Sequence, residues 1–220
     1  MSQEVIHENP ELAEPAEPGE DTRTRRDGRR RRSLIAGLAA VTLAAAGLGA
    51  YQYARAHAPR PADGGTPPWP IPADPLPGIR AAGLAPGPMG HAEHYHAHLD
   101  VFVDGEQVEV PADIGIVGEE MAPVHTHDDR GVIHIESHHK GDVFTLGQIF
   151  KEWGVTLSAS QIGALKAGGG KVLTTVVDGR PYAGDPASLV LTGHQQIALV
   201  YGTPDPSFRP PARFTFKSDE

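Results

Sequence analysis

HYHAHLDVFVDG, residues 94–105, decides the fold. Tyr95, Ala97, Leu99, Val101 and Val103 fall on one face of an extended chain, and His94, His96, His98, Asp100 and Phe102 on the other. That period of two predicts a strand, and Asp104-Gly105 predicts a tight hairpin turn into Gln107–Val110. Residues 111–131 read as a long loop. Val132–Glu136 alternates again, with Ile133 and Ile135 towards the core and His134 and Glu136 on the opposite face. Thr145-Leu-Gly-Gln148 is a capping box, followed by Leu146, Ile149, Phe150 and Trp153 at helical spacing and Gly154 as a stop. A lesser helix is expected after Ser160. Lys171–Val177, the turn Asp178-Gly179 and Gln196–Tyr201 predict a hairpin strand and a closing strand. Hairpin, helix and further strands make an α+β domain, a small mostly antiparallel sheet with one or two short helices; a β-grasp order fits it.

Around that domain, 91–204, the composition changes. Residues 1–32 are polar and charge-segregated, seven acids up to Asp21 and then seven arginines, and read as a disordered cytoplasmic tail. Residues 33–54 are 22 positions without a charge, directly after Arg29–Arg32. A helix of that length spans about 33 Å, one hydrocarbon core, and the arginines keep the N-terminus inside. The stretch reads as a single transmembrane helix in the lipid bilayer. The other reading is an export signal, with Arg31-Arg32-Ser33-Leu34-Ile35 and Ala54-Arg55-Ala56 as its marks. Both place the domain outside the cytoplasm. Residues 55–90, rich in proline and glycine, read as a semi-rigid linker, and 205–220 as a flexible tail.

Composition removes several function classes. With no cysteine there is no disulfide, thiolate metal site or thiol nucleophile. From His57 onward acids outnumber bases 20 to 11, which argues against nucleic acid as a partner. Ser137 and His138 point to opposite faces of a strand, so a Ser–His hydrolase has no support, and Gly168-Gly169-Gly170-Lys171 lacks phosphate-loop spacing.

Histidine is the chemical signal: 12 in all, nine of them between His91 and His139. Alternate positions on a strand lie about 6.5–7 Å apart on one face, so imidazoles at that spacing can converge on one ion. The sets are His94/His96/His98, His125/His127, and His134 with Glu136. These six histidines are the candidate ligands. His96, His98, His125 and His127 are the expected inner set, with His134 next. Glu136 and Asp128 are expected as acceptors for the non-ligating ring N–H groups. Imidazole with an occasional carboxylate and no thiolate suits Zn(II), Cu(II), Ni(II) or non-haem Fe(II), Met89 and Met121 add a hint of copper, and the expected transition metal ion is copper or zinc.

The runs HxHxHLDVFVDG, VPADIGI at 110–116, HTHDDRGVIHIES at 125–137 and FTLGQIFKEWGV at 144–155 resemble those of a family of membrane-anchored, histidine-rich extracytoplasmic proteins of high-GC bacteria, with archaeal relatives. The resemblance covers 91–202. It implies one exported domain, carries His94, His96, His98, His125, His127 and His134 as pattern positions, and implies nothing catalytic.

The leading expectation is therefore a tethered extracytoplasmic metal-binding protein for sequestration, sensing or delivery. A three-histidine metalloenzyme with an open coordination position, and a cell-envelope structural module that meets a protein partner without metal, are the alternatives.

Overall fold

The computed structural model describes residues 62–220. The expected cytoplasmic tail, the 33–54 membrane stretch and the first part of the expected linker lie outside the described residues. Among the described residues no helix is long and apolar enough to cross a membrane.

The decisive strand is β1 (Glu93–Val103), 11 residues long. The Asp104-Gly105 turn, both residues at positive φ, reverses the chain into β2 (Glu106–Val108). Next come the hairpin β3 (Ile116–Val117) and β4 (Glu120–Met121), then β5 (Val124–His125) and β6 (Val132–Ser137). The loop expected over 111–131 thus contains a hairpin and an edge strand. Beyond it lie β10 (Val172–Val177), β11 (Arg180–Tyr182) after the positive-φ Asp178-Gly179 turn, and β12 (Gln196–Gly202). The main sheet runs β11–β10–β12–β1–β6–β5, with β2 also on β1. Only β1 and β12 are parallel within it, Leu99 opposite Ile197 and Val101 opposite Leu199. The domain is α+β and mostly sheet, as expected.

One sheet face carries Ala97, Leu99, Val101, Ile133, Ile135, Ile197 and Leu199, all buried, in one core with Leu146, Ile149, Phe150 and Trp153. Those last four come from a helix, Leu146–Trp153, entered through the Thr145/Gln148 capping box and ended by Gly154 in the left-handed region at φ 68°.

Three expectations are corrected here. The linker reading of 55–90 fails from residue 62 onward, because the segment is anchored in the core. Its Leu76–Ala81 forms the first described helix, α1, which packs on Leu146–Trp153, hereafter α2. Ile79 is fully buried. Trp69 lies edge-on to Trp153, ring centroids 5.8 Å apart, and the Trp153 indole N–H donates to the Trp69 carbonyl at 2.8 Å. Proline content signals an extended chain, but the apolar anchors between the prolines decide whether it docks.

The helix expected after Ser160 is instead a meander of two-residue strands, β7 (Leu157–Ser158), β8 (Gln161–Ile162) and β9 (Leu165–Lys166). Gly163 explains it. Its φ is +56°, and a Cβ there would lie 2.6 Å from the Trp69 indole nitrogen. The meander is shaped to seat the incoming tryptophan.

Residues 205–220, read as a flexible tail, lie on the other sheet face. Phe208 meets Phe102 at 5.2 Å, Phe214 stacks on His98 at 3.8 Å, and Phe216 stacks on His194 at 4.7 Å. Arg130 pairs with Glu220 and sits over the Phe214 ring. Three aromatics in a short polar segment supply the apolar area that holds it down.

Candidate metal centre

Strand register arranges the histidines in rows. His96 on β1 is opposite His134 on β6, and His134 is opposite His125 on β5. With neighbouring strands about 4.8 Å apart, three rings stand side by side on the face away from the core. The adjoining row pairs His94 with Glu136. His127 enters from just beyond the end of β5. Thr126 fixes that exit: fully buried, it donates to the Pro111 carbonyl at 2.8 Å and accepts from the Ile114 N–H at 3.1 Å.

Two groups of four donors result, each with its ligand atoms within 4.8 Å of one another: His94, His96, His134 and Glu136, and His125, His127, His134 and Glu136. His96 Nε2 lies 3.0 Å from His134 Nδ1, and His125 Nε2 lies 3.1 Å from His127 Nε2. Two nitrogens on a tetrahedral ion, each about 2.0–2.1 Å from it, stand about 3.3 Å apart. Both separations are close to that value. His125 Nδ1 donates to the Ala122 carbonyl at 2.8 Å, which fixes the tautomer and leaves the Nε2 lone pair facing the cluster.

The electrostatics suit a cation. Burial, then the neighbouring His134 and His94 rings, lowers His96 to about 4. Burial likewise brings His125 to about 4 and lowers His127. These rings are neutral near pH 7, with their lone pairs free of protons. Glu136 behaves oppositely: burial works to raise its pKa, but the His134 hydrogen bond and the surrounding imidazoles outweigh it and hold the carboxyl below its ordinary range. Its Oε1 lies 3.5 Å from His94 Nε2 and 3.6 Å from His134 Nδ1. Its Oε2 is buried and has no hydrogen-bond partner, an orphan acceptor that a cation would satisfy. His125, His96 and Glu136 are buried, while His94 and His127 are exposed, so the cluster opens to solvent at both ends.

Five of the six expected ligands come together; His98 does not. Its Nε2 donates to the Arg130 carbonyl at 2.8 Å, and its Nδ1 accepts from the Gln196 amide at 2.8 Å. Both nitrogens are committed, under the Phe214 ring. Gly131 makes this approach feasible, since a Cβ there would lie 2.3 Å from the Leu99 carbonyl. Gln196 and Gln107 also donate to Asp100, so His98 belongs to a buried polar network.

Asp128, expected to support a ring N–H, is held by Arg130 through its backbone and side chain at 3.1 and 2.8 Å. Glu136, expected as such an acceptor, is itself in both donor groups; its alternation with His134 is the sequence signal for that. The Ala122 carbonyl, which performs the supporting role for His125, leaves no trace in side-chain identity. Met121 sits in β4 opposite Ile116, and Met89 is exposed. His91 and His139 are exposed, and His138 reaches the Pro88 carbonyl at 3.0 Å.

Comparison with protein-family models, with curated proteins and with solved structures gives no match.

Proposed function

We propose that this protein is a membrane-tethered extracytoplasmic metal-binding protein that takes up copper or zinc. The observation that carries the reading is the pair of interleaved donor groups, each of four ligand atoms within 4.8 Å. Neutral imidazoles with one ionised carboxylate and no thiolate match the preferences of Zn(II) and Cu(II). The exposed His94 and His127 give an ion a route in and out, which favours sequestration or delivery over a closed structural site. The tether is residues 33–54, supported by their 22 uncharged positions behind Arg29–Arg32. The resemblance to membrane-anchored, histidine-rich proteins supports the same placement.

The test is the metal content of the untagged full chain in mild detergent, after exposure to Zn(II) and Cu(II) separately and passage over a weak chelator. Stoichiometric retention, lost in His134→Ala, is expected. No stoichiometric metal at neutral pH in the unmutated chain would refute the reading.

A further inference from the structure

A single tetrahedral ion needs four ligands, and the cluster offers six donors. We infer that the centre takes two transition metal ions, one on each side of His134, with the Glu136 carboxylate between them. The inference rests on the metal-binding reading above and deepens it.

Three observations carry it. First, the donors do not fall into one set. His94 and His96 belong to one group, His125 and His127 to the other, and only His134 and Glu136 belong to both. Second, each side has its own close nitrogen pair, His96 with His134 at 3.0 Å and His125 with His127 at 3.1 Å. The outer strands β1 and β5 flank β6 on opposite sides, about 9–10 Å from each other. Neither donor group takes rings from both of those strands. Third, Glu136 has one oxygen near His94 and His134, and its other, Oε2, is buried without a partner. A carboxylate that gives one oxygen to each ion spans the separation of about 3.5–4 Å seen in two-metal sites. One ion would leave that second oxygen and two histidines unexplained. Two divalent ions exceed the charge of one carboxylate, so hydroxide or a small anion completes the coordination from the solvent side.

The experiment titrates the untagged full chain in detergent with Zn(II) against a competing chelator. It is repeated on His94→Ala, His127→Ala and Glu136→Gln. His94 and His127 are exposed and each belongs to one group only, so neither change touches the core. The expected result is two equivalents in the unmutated chain and one in each histidine variant. Glu136→Gln keeps the shape but removes the charge and one oxygen donor, and the second equivalent should weaken about tenfold or more. With two equivalents of Cu(II), electron paramagnetic resonance should show the broadening and half-field signal of two nearby ions, absent at one equivalent in His127→Ala. A single equivalent in the unmutated chain overturns the two-ion centre and leaves the metal-binding reading standing. Two equivalents that both survive in His94→Ala and in His127→Ala, or Cu(II) spectra of isolated ions, also overturn it. No metal at all overturns both readings.

Discussion

Replacing Glu152 by methionine is expected to stabilise the protein by an amount that grows with pH. Glu152 lies on the buried face of α2, fully inaccessible, and neither carboxyl oxygen has a hydrogen-bond partner. Burial pushes its pKa up to about 9 from 4.5. Below pH 4.5 both folded and unfolded chains carry the proton and there is no penalty. Between 4.5 and about 9 the folded chain still holds a proton that the unfolded chain has released, so stability falls as pH rises. Each pH unit is worth about 1.4 kcal/mol, which gives about 3 kcal/mol at pH 7. Between pH 5 and pH 8 the penalty changes by about 4 kcal/mol.

The depressed histidines pull the other way. His96 and His125, at about 4 when folded, remove stability as pH falls from their ordinary 6.5. The pH profile of the unmutated chain therefore mixes opposite slopes. The difference between Glu152→Met and the unmutated chain isolates the carboxyl, since the unbranched methionine fills the same space without a titrating group. Urea unfolding of both full chains in mild detergent from pH 5 to pH 8, with chelator present to exclude metal linkage, measures that difference. A stability gain that stays constant with pH, or a variant less stable than the unmutated chain at pH 8, would refute the reasoning.

Other expectations follow from particular contacts. His96 and His125 should add almost nothing to the loss of metal affinity down to about pH 5: at pH 5.5 an ordinary imidazole loses about tenfold to protons, so two lose about a hundredfold, whereas these two at about 4 lose almost nothing. Zinc competition from pH 5 to pH 8 on the unmutated chain, His96→Ala and His125→Ala checks this, and a fall between pH 7 and pH 5.5 that is about tenfold shallower in either variant would contradict it. Trp69→Ala should cost about 3–5 kcal/mol, because the ring is buried against Trp153; an unchanged melting temperature would return residues 62–84 to the status of a linker. Phe214→Ala, which removes the ring stacked on His98, should cost about 1 kcal/mol and speed tryptic cleavage at Arg213 and Lys217. Equal cleavage rates would show that the tail is not held on the sheet.

Where the chain states its own period, the sequence was enough. The alternations at 94–103 and 132–136, the two Asp-Gly turns and the capping box all stand in the structure. The sheet runs β2–β1–β12–β10–β11 around the parallel β1–β12 pair. What escaped was docking of segments without a period. Trp69 and Ile79 sit among prolines, and Phe208, Phe214 and Phe216 sit in a polar tail, so neither segment announces the surface that receives it. The cluster was legible only by halves. Alternation puts His94, His96 and His98 on one face, but register decides which of them meets His134. His96 is opposite His134, whereas His98 is opposite Val132 on β6 and Gln196 on β12. Two residues along one strand thus separate a candidate ligand from a member of a polar network.

That difference also bears on how the site is held. Four of the six clustered donors, His94, His96, His134 and Glu136, lie on paired central strands, so their backbone positions are set by ladder hydrogen bonds rather than by loop conformation. His125 is tied to the same sheet by β5 and by its ring N–H to Ala122. Such a frame has its donors in place before any ion arrives, and the ordering cost of binding is confined to the exposed rings of His94 and His127. Those are the two residues that belong to separate groups. Substituting either should weaken metal binding at one position without unfolding the domain, whereas His134→Ala, central to both groups, should affect both. Isothermal titration of the three variants with Zn(II) would distinguish a centre organised this way from a surface on which every histidine contributes alike.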